Sequence, residues 1–531
     1  MIQVLNIPMI AIIVITAGIA RSLALLVTIA ASIIPEMRTD VLIVGGGIGG
    51  TAAALAAAEA GAMVVMTEPT EWIGGQLTSQ AVPPDEHPWI ESFGRTERYA
   101  DFRRRVRAKY GLPGYRGNPG GGWVSALCHE PRVGHEVLGE MVASYVADGR
   151  LTILHGIAPT AAYIEGDIVR SVSFGDLVVE AGIFLDATEL GDLLPLTGTE
   201  YVVGAESRRE TGEPGAPDLA DPYDVQGFTW CMVLSNDESR DWTYEKPAGY
   251  ERWKAFRPEF WPGPLLGFED VDPITLQPRH LPLYGPFPSL FEYRKIVDGP
   301  VPATVVNWPM NDYFLGRVID EDAETVANRE RESRELSLCL LHWLQTEAPR
   351  HDGGTGYPGL HLRGDLTGTR NGLAMAPYHR ESRRIRAKHT IREQDVSSAE
   401  HPHADRAPEM PRSVGVGAYR IDLHPSTSGR NYYDVGTLPF QIPLGSLLPV
   451  RVRNLIAAGK NIGTTHITNG CYRLHPVEWN IGESAGTLAA FCLRTGYEPA
   501  HVLENDTAFS DFERQLQSAA VETAWPRLRS L

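Results

Sequence analysis

The clearest pattern of apolar and polar positions lies between residues 40 and 68. Residues 40–44 form a short apolar run rich in β-branched side chains, which predicts a buried strand. Residues 51–60 are rich in alanine, a strong helix former, and Gly61 closes that helix. A second apolar run covers residues 62–67. The pattern therefore predicts a strand, a helix and a second strand in immediate succession.

Three glycines connect the first strand to the helix at the spacing G-x-G-x-x-G. Gly45 allows a tight turn, Gly47 lets a diphosphate approach the backbone, and Gly50 lets the helix pack closely on the strand. The helix N-terminus then offers free N–H groups and a partial positive charge to phosphates. Glu68 ends the second strand about twenty residues after the glycines, where an acid can accept hydrogen bonds from a ribose. This arrangement predicts a dinucleotide-binding site.

Shorter patterns continue along the chain. Residues 98–110 and 133–148 have helical periodicity, and residues 151–185 contain several short strand-like runs separated by Gly and Asp turns. Residues 204–418 contain many tryptophans and prolines but no nucleotide signature, and their clearest element is a helix over residues 323–345. This stretch predicts an inserted substrate or cap domain.

The last third of the chain returns to strand-and-helix patterns. Residues 455–461 predict a strand, residues 465–480 a loop, and a helix of small residues begins at Ile481. Gly482 and Gly486 would allow this helix to begin directly against a ring system, and its N-terminal dipole would stabilise negative charge there.

Composition and charge limit the classes of function. A chain of 531 residues exceeds one ordinary core, which favours two domains or one domain with a large insertion. The net charge of -18 argues against a nucleic-acid partner, and the basic clusters at residues 103–107 and 380–386 are predicted to be solvated helix faces. The five scattered cysteines have neither metal-ligand nor redox spacing, which favours free thiols, a reducing compartment and no metal site.

The first 36 residues are almost wholly apolar and leave three interpretations open. The stretch is long enough to cross a bilayer as a membrane helix. It could equally be translated from a start site that lies upstream of the true one, since Met37 stands just before the first strand. A cleaved signal peptide fits less well because no Lys or Arg precedes the apolar run. The predicted localisation is cytoplasmic or, with an anchor in residues 1–36, membrane-attached, which would add membrane contact through this segment.

Further cofactor contacts are expected where predicted strands end. Paired glycines in residues 72–79 let the backbone pass close to a flat ligand, and the meander over residues 151–185 ends in an Asp- and Gly-containing turn. The candidate cofactor-binding residues are Gly45, Gly47, Gly50, Glu68, Gly75, Gln76, Asp186, Gly191, Asp192, Gly459, Asn461, Gly482 and Gly486.

These motifs together resemble a known family. The segments GGGIGG, GGQLTS, DATELGDLLPLTG, YHRESRRI, PFQIPLGSLLP, NLIAAGKNIG, YRLHP and IGESAGTLAA occur in the order found in the FAD-dependent oxidoreductases grouped with xanthan-lyase-annotated proteins. The resemblance implies an α/β fold, with a glutathione-reductase-like, Rossmann-like FAD-binding domain and a large inserted α+β substrate or cap domain. FAD is the implied cofactor. No histidine lies at an evident flavin-attachment motif, so a covalent link is not implied.

The expected domain boundaries follow from the motifs. The FAD-binding domain comprises residues 37–205 and 416–497, and residues 206–415 form the inserted domain. Residues 1–36 are an apolar extension and residues 498–531 a C-terminal helical tail.

The predicted reaction is a two-electron oxidoreduction in which a hydride passes between a small organic substrate and flavin N5. The electron acceptor cannot be inferred from the sequence. The alternatives are a flavin-dependent reductase or monooxygenase, and a non-catalytic flavin-binding protein associated with membranes.

The catalytic candidates lie in the predicted loop over residues 465–480. Arg473 has a fork suited to a carboxylate, and His475 can accept a proton near neutral pH. An extended loop would present both on the same side, which favours His475 over His466 as the base. The next candidates are a group outside this loop: Tyr419, Asp422 and His424.

Overall fold

The protein is described here by a computed structural model that covers residues 36–114 and 116–526. The anchor, the signal peptide and the alternative start all concern residues 1–36, which lie almost entirely outside the described residues. Within the described ranges, no helix is long and apolar enough to cross a membrane.

The strands are β1 to β21 in chain order: Glu36–Val44, Val64–Glu68, Leu151–His155, Ala161–Glu165, Ile168–Phe174, Leu177–Asp186, Tyr201–Val202, Phe228–Thr229, Met232–Asn236, Glu269–Val271, Pro278–His280, Lys295–Val297, Ala303–Val306, Asp312–Tyr313, Leu360–Leu362, Arg384–Ile385, Ser413–Gly417, Ile421–Leu423, Tyr433–Val435, Phe440–Pro443 and Leu455–Ala457. The helices are α1 to α14: Ile48–Glu59, Glu97–Lys109, Pro131–Ala147, Leu193–Leu196, Arg208–Thr211, Tyr250–Ala255, Leu290–Tyr293, Ala323–Thr346, Gly364–Thr367, Glu393–Val396, His466–Tyr472, His475–Thr495, Pro499–Glu504 and Asp506–Ser518.

A seven-stranded sheet organises the first core, with strand order β3-β2-β1-β6-β5-β4 and β21 paired to β6. Strands β1, β2, β3, β6 and β21 are parallel, and β4 and β5 are antiparallel to their neighbours. The ladder places Val44 beside Thr67 and Asp186, and Asp186 beside Ala457. The loops that leave β1, β2, β6 and β21 therefore meet at one edge, where ligands bind in open α/β sheets. This confirms the predicted α/β, Rossmann-like fold class.

Two helices cover the centre of this sheet and touch each other closely. A Cβ at Gly482 would lie 2.0 Å from the Gly49 carbonyl oxygen, and one at Gly486 would lie 2.2 Å from the Ala53 carbonyl oxygen. Only glycine permits this approach of α12 to α1, because any side chain would enter the backbone of the other helix. Both helices are buried over nearly their whole length.

A second core lies in the chain between the two parts of the first. A four-stranded antiparallel sheet of order β12-β13-β9-β15 packs with helix α8 around an aromatic cluster that includes Trp230, Trp253, Trp308 and Trp343. The helix predicted over residues 323–345 is confirmed as Ala323–Thr346. The proposed domain boundaries stay a prediction, although the second core falls within the expected insertion.

Two expectations about the chain were wrong. Residues 466–472 and 475–495 are helical, so the predicted loop over residues 465–480 is mostly α11 and the start of α12. Helix α11 has a capping residue, Thr465, whose side chain accepts a backbone N–H. Helix α12 begins at a buried turn that contains His475 and has no side-chain cap, so no capping residue marks its start in the sequence.

The prediction of solvated helix faces is only partly right for the first basic cluster, where Arg104 and Arg105 reach the surface, and it is wrong for the second. Arg103 and Arg107 point into the protein and pair with Glu86 and Glu91. The cluster over residues 380–386 is not helical, and its arginines 380, 383 and 384 are buried and paired with acids. Long arginine side chains reach carboxylates far away in sequence, which a local pattern cannot show.

Candidate functional site

The glycine turn after β1 is shaped by backbone contacts at the sheet edge. Gly45 has a φ of +100°, and a Cβ there would lie 2.3 Å from the Ala187 carbonyl oxygen. Gly47 is the N-cap residue of α1, and a Cβ at Gly50 would lie 1.9 Å from the Gly45 carbonyl oxygen. The turn is therefore closed by Gly45 and Gly50, and it leaves the helix N-terminus free to face a ligand.

A cleft runs along this edge between the β1, β2 and β6 loops. We call it the dinucleotide cleft. Five of the predicted cofactor residues line it: Gly45, Gly47, Glu68, Gly75 and Asp192. The cleft is also lined by Thr70, Glu189, Pro377 and His379.

The floor of the dinucleotide cleft already holds an anionic group. A Cβ at Gly47 would lie 2.9 Å from Glu189 Oε1, and a Cβ at Gly75 would lie 3.0 Å from the same oxygen. Lys460, which is buried, pairs with the other oxygen of this carboxylate. The two glycines thus form a cradle that accepts negatively charged oxygen atoms beside a helix N-terminus and a cation. A diphosphate that displaced the Glu189 carboxylate would meet the same features.

Glu68 sits at the end of β2 and faces the glycine turn. Its carboxylate accepts hydrogen bonds from the Gly46 N–H (3.1 Å), the Thr70 N–H (2.8 Å) and the Thr70 hydroxyl (2.6 Å). Burial raises the pKa of Glu68 to about 7, although the Thr70 hydrogen bonds oppose this shift. Glu68 therefore fixes the first turn in addition to facing the cleft.

The remaining predicted cofactor residues support the cleft from behind. Asp186 is fully buried and accepts hydrogen bonds from Thr188 and from the Leu193 N–H (3.2 Å). Burial raises the pKa of Asp186 to about 7. Asn461 Nδ2 donates to the Asp186 carbonyl oxygen (3.0 Å), and its side-chain oxygen accepts from the Gly459 N–H (3.3 Å). These groups join β6 to β21.

The Gly191 turn and the small-residue helix also have structural explanations. Gly191 has a φ of +67°, and a Cβ there would lie 3.0 Å from Arg383. Gly482 and Gly486 lie within α12 and face α1, so the expectation that the helix begins at these glycines was wrong. Their small size is required by the contact with α1, and a direct cofactor contact stays a prediction.

Gln76 connects the cleft loop to the segment that carries the predicted catalytic residues. Its Nε2 donates to the Arg473 carbonyl oxygen (3.0 Å) and to the Glu478 carboxylate. Burial raises the pKa of Glu478 to about 7, against the opposing effect of Lys460. Lys460 in turn pairs with Glu189 in the cleft, so a chain of buried polar contacts leads from the cleft to Arg473.

The three predicted catalytic residues do not form one constellation. Arg473 is buried and donates to the Tyr378 hydroxyl (2.6 Å) and to the Asp422 carbonyl oxygen (2.9 Å). His475 Nδ1 accepts the Asp85 N–H (3.0 Å), and burial lowers the His475 pKa well below its usual value. Because His475 begins α12 and does not continue an extended loop, its ring contacts Asp85, whereas Arg473 contacts Tyr378 and Asp422.

His466 belongs to a separate buried ion cluster. Its Nδ1 lies 3.0 Å from Glu381, and its backbone N–H donates to Glu206 (2.9 Å). Burial lowers the pKa of His466, but the Glu381 carboxylate outweighs that effect and raises it above its usual value. His466 and His475 do not line the dinucleotide cleft, and they do not line the second cavity of the protein either.

A second cavity of about 350 Å³ lies between the inserted core and β18. Its lining includes Tyr419, Asp422 and His424, the group that the sequence offered after the loop residues. Polar and aromatic side chains also line the cavity, among them Arg279, Ser289, Arg294, Trp308, Arg420, Tyr432 and Asp434. A volume of this size is typical of small-molecule sites.

His424 lines the second cavity and forms a pair with Asp312. His424 Nδ1 lies 2.6 Å from Asp312 Oδ2, and His424 Nε2 lies 3.7 Å from Asp422 Oδ2. Asp312 is also held by Arg380 (3.0 Å). Burial would raise the pKa of Asp312, but Arg380 and His424 lower it overall, so the carboxylate is ionised and accepts the Nδ1 proton.

Asp422 joins the cavity to Arg473. Its Oδ2 lies 3.4 Å from Arg473 Nη2. Burial would raise the pKa of Asp422, but His424 and Arg473 together hold it below its ordinary value. Sequence reasoning missed Asp312, Glu189 and Lys460 as site residues. Lys460 alone had a local signal, since it follows directly on the predicted strand before the small-residue helix.

The parallel sheet, the glycine turn with a terminal acid and the anion cradle define a dinucleotide-binding flavoprotein of the glutathione-reductase-like α/β class. The chain belongs to the FAD dependent oxidoreductase family, whose model matches residues 40–516. It is therefore an oxidoreductase with FAD as its cofactor. None of the curated proteins matches the chain.

Solved structures resemble it only distantly. A p-nitrophenol 4-monooxygenase from Pseudomonas putida is 11% identical with a TM-score of 0.35, covering 91% of this chain and 89% of that one. A geranylgeranyl bacteriochlorophyll reductase-like protein from Thermoplasma acidophilum is 10% identical with a TM-score of 0.31, covering 91% and 84%. L-proline dehydrogenase from P. horikoshii is 16% identical with a TM-score of 0.18; the match covers 32% of this chain and 24% of that protein.

Proposed function

We propose that this FAD-dependent oxidoreductase oxidises a small organic substrate in the second cavity and that His424 is the base. The observation that carries the proposal is that His424, which lines the cavity, pairs with Asp312, with Nδ1 and Oδ2 2.6 Å apart. The contacts from Asp422 through Arg473 and Gln76 to the dinucleotide cleft support placing substrate and cofactor side by side.

The chain's own residues have distinct parts in holding FAD. The Gly47–Gly75 cradle and the N-terminus of α1 would receive the diphosphate, and Glu68 would accept hydrogen bonds from the ribose. When bound, FAD supplies a two-electron acceptor whose N5 takes a hydride from the substrate carbon. Asp192 lines the same cleft, where its carboxylate is within 3.0 Å of Arg383.

His424 is the residue that accepts the substrate proton in this proposal. Its Nδ1–H is directed at ionised Asp312, which fixes the ring and leaves Nε2 to accept the proton that a substrate hydroxyl or amino group releases. Asp422, close to Nε2, stabilises the imidazolium that forms. Arg473 is a positioning residue, because it binds the backbone carbonyl and the carboxylate of Asp422.

Anaerobic flavin reduction tests the proposal. A panel of alcohols, amines and sugar acids is mixed with the purified yellow protein, and the compound that reduces the flavin is then used in stopped-flow measurements. We expect His424→Gln to keep its FAD and to slow reduction by about a hundredfold or more, as for loss of a positioned base. His401→Gln is the control, since the His401 ring hydrogen-bonds the Gln394 carbonyl oxygen (2.8 Å) and His401 lies outside the second cavity.

Two outcomes would contradict this function. A wild-type reduction rate in His424→Gln would remove His424 as the base. Reduction by a nicotinamide but by no member of the panel would instead favour the reductase or monooxygenase alternative.

A further inference from the structure

Four side chains around the second cavity have hydrogen-bonding groups without a partner. Among the described residues that line this cavity, the buried side-chain atoms without a hydrogen-bond partner are Arg294 Nε and Nη1, Trp308 Nε1, Ser289 Oγ and Tyr432 Oη. Ser289, Trp308 and Tyr432 are at least 95% buried, with exposures of 1%, 2% and 5%. All four residues line the second cavity. Buried polar groups are normally satisfied, so these five atoms on residues that line one cavity offer hydrogen-bonding partners to a ligand that enters it.

The chemistry of these groups selects the ligand. Arginine and the indole nitrogen can only donate, and both hydroxyls can donate. A matching ligand must therefore present several acceptor oxygens, and the cation at Arg294 favours a negatively charged one.

The three arginines of the cavity differ in how far they are neutralised. Arg279 lies 2.6 Å from Asp270, and Arg420 lies 2.5 Å from Asp434. Arg294 has Asp85 at 3.7 Å, beyond hydrogen-bond distance. Arg294 is thus the cavity arginine with the most unused hydrogen-bonding capacity.

We propose that the substrate is an organic acid and that Arg294 binds its carboxylate, assisted by Trp308 Nε1. The planar fork of arginine matches the two oxygens of a carboxylate, and Arg294, which is already mostly desolvated by the protein, loses little further hydration when it binds one. This assignment rests on the proposed use of the second cavity for substrate, and it specifies the substrate class.

Calorimetric titration of the FAD-loaded protein tests the assignment without requiring turnover. The probe is benzoate, and its neutral counterpart is benzamide. We expect benzoate to bind and benzamide to bind much more weakly. Arg294→Met should weaken benzoate on the order of tenfold or more, the effect of losing a hydrogen bond to a charged group. Arg294→Lys keeps the charge but not the planar fork, so its affinity for benzoate should lie between those of the wild-type protein and Arg294→Met.

Arg420→Met is the matched control, because Arg420 lines the same cavity but is already paired with Asp434. Circular dichroism and FAD content establish that each variant is folded. The assignment is overturned if the wild-type protein does not bind benzoate, if Arg294→Met binds it with unchanged affinity, or if Arg420→Met weakens it as much. Tighter binding of inorganic sulfate than of benzoate would overturn the choice of a carboxylate.

His424→Gln separates this assignment from the proposed function. Benzoate affinity should persist in His424→Gln, because the base is not part of the carboxylate site. If flavin reduction is unaffected in His424→Gln while Arg294→Met loses benzoate, the base is wrong and the carboxylate site stands. The opposite pattern retains the base and removes the carboxylate site.

Discussion

The dinucleotide cleft and the second cavity are built from different parts of the polypeptide. The cleft depends on backbone: a turn at Gly45, a cradle at Gly47 and Gly75, and the first turn of a helix. The second cavity depends on side chains from segments between residues 273 and 434. Backbone recognition requires glycines at fixed spacing, whereas side-chain recognition requires only that distant residues meet after folding. The first therefore leaves a motif in the sequence and the second does not.

The two regions also differ in electrostatics. Burial raises the pKa of Glu68 to about 7 in the cleft, where the positive groups beside it are mainly N–H dipoles. In the second cavity, His424 and Arg473 overcome the effect of burial and lower the pKa of Asp422. Glu68 in the cleft thus takes up a proton more readily than a free glutamate does, whereas Asp422 in the cavity gives up its proton more readily than a free aspartate does.

The largest effect is expected from breaking the helix contact beneath the cleft. Gly482→Val would place a side chain inside the backbone of α1, where even a Cβ lies 2.0 Å from the Gly49 carbonyl oxygen. We expect a loss of folded, FAD-binding protein, because overpacking of this severity exceeds the usual cost of about 1–3 kcal/mol. Soluble yield and thermal unfolding measure it. Gly139→Ala is the control, since a Cβ at that helical glycine meets nothing within 4 Å. Equal stability of the two variants would contradict the close contact.

The next largest effect is expected where the two regions join. Arg473→Met would leave the Asp422 carboxylate without one of its cations and Tyr378 without its donor. Removing one partner from a buried ion pair costs about 3–5 kcal/mol. Urea unfolding should show this loss. Arg104→Met, at a surface position on α2, should change stability by less than about 1 kcal/mol. A comparable loss in both variants would show that Arg473 has no special role.

Within the cleft alone, Glu68→Ala should weaken FAD binding by about 1.5–3 kcal/mol. The variant removes an acceptor of the Gly46 and Thr70 N–H groups as well as the expected ribose contact. Equilibrium titration of the apoprotein with FAD measures the change. Glu71→Ala changes an exposed acid three residues away and should bind FAD normally. Unchanged affinity in Glu68→Ala would make Glu68 a strand end without a cofactor role. FAD should also be released on denaturation, as expected for non-covalent binding.

A smaller effect distinguishes the regions by pH. The folded-state pKa of Glu68 is raised from 4.5 to about 7, so the folded apoprotein binds more protons than the unfolded chain in this range. The contribution of Glu68 to stability therefore falls as pH rises from about 4.5 to about 7. Glu68→Gln should remove this part of the slope in denaturant unfolding at several pH values. A wild-type slope in the variant would contradict the raised pKa.

Asp422 should give the opposite sign. Its folded-state pKa is lowered from 3.8, so its contribution is present above that value and is lost as pH falls further. The stability gap between the wild-type protein and Asp422→Asn should therefore narrow only in strong acid. A gap that narrows near neutral pH would place Asp422 in an environment like that of Glu68.

The smallest effect is expected from removing the residues before Met37. Strand β1 begins at Glu36, and Met37 pairs with Val179, so a chain that begins at Met37 keeps almost the whole strand. We expect such a chain to be soluble, to bind FAD and to retain both regions. Aggregation that is reversed by restoring the apolar segment in detergent would favour a membrane anchor.

Much of the cleft could be predicted because its residues are neighbours along the chain. The turn from Gly45 to Gly50 and the acid at Glu68 lie within one strand–helix–strand unit, and Gly75 follows in the next loop. Each of these positions is constrained by local backbone geometry, which restricts the amino acids that fit there. Gly482 was recognised as a position that must be small, but its neighbour is Gly49, which is more than 400 residues away along the chain.

The catalytic candidates were harder to predict because side-chain direction depends on elements that only folding brings together. An extended loop would place Arg473 and His475 side by side, but α12 begins at His475 and turns it toward Asp85. The partners that orient His424 come from the inserted core, in Asp312, and from β18, the strand that ends just before His424, in Asp422.

The sequence by itself therefore determined the Rossmann-like unit and predicted a dinucleotide as its ligand, since the spacing of Gly45, Gly47, Gly50 and Glu68 encodes one backbone path and one class of ligand. The tertiary structure alone decided that Arg103, Arg107 and the arginines of residues 380–384 are buried and that Asp312 meets His424. It also decided that Arg294 keeps unpaired donors in a cavity. The physical reason is range: backbone geometry is set within a few residues, whereas the charge, burial and partners of a side chain are set by segments hundreds of residues apart.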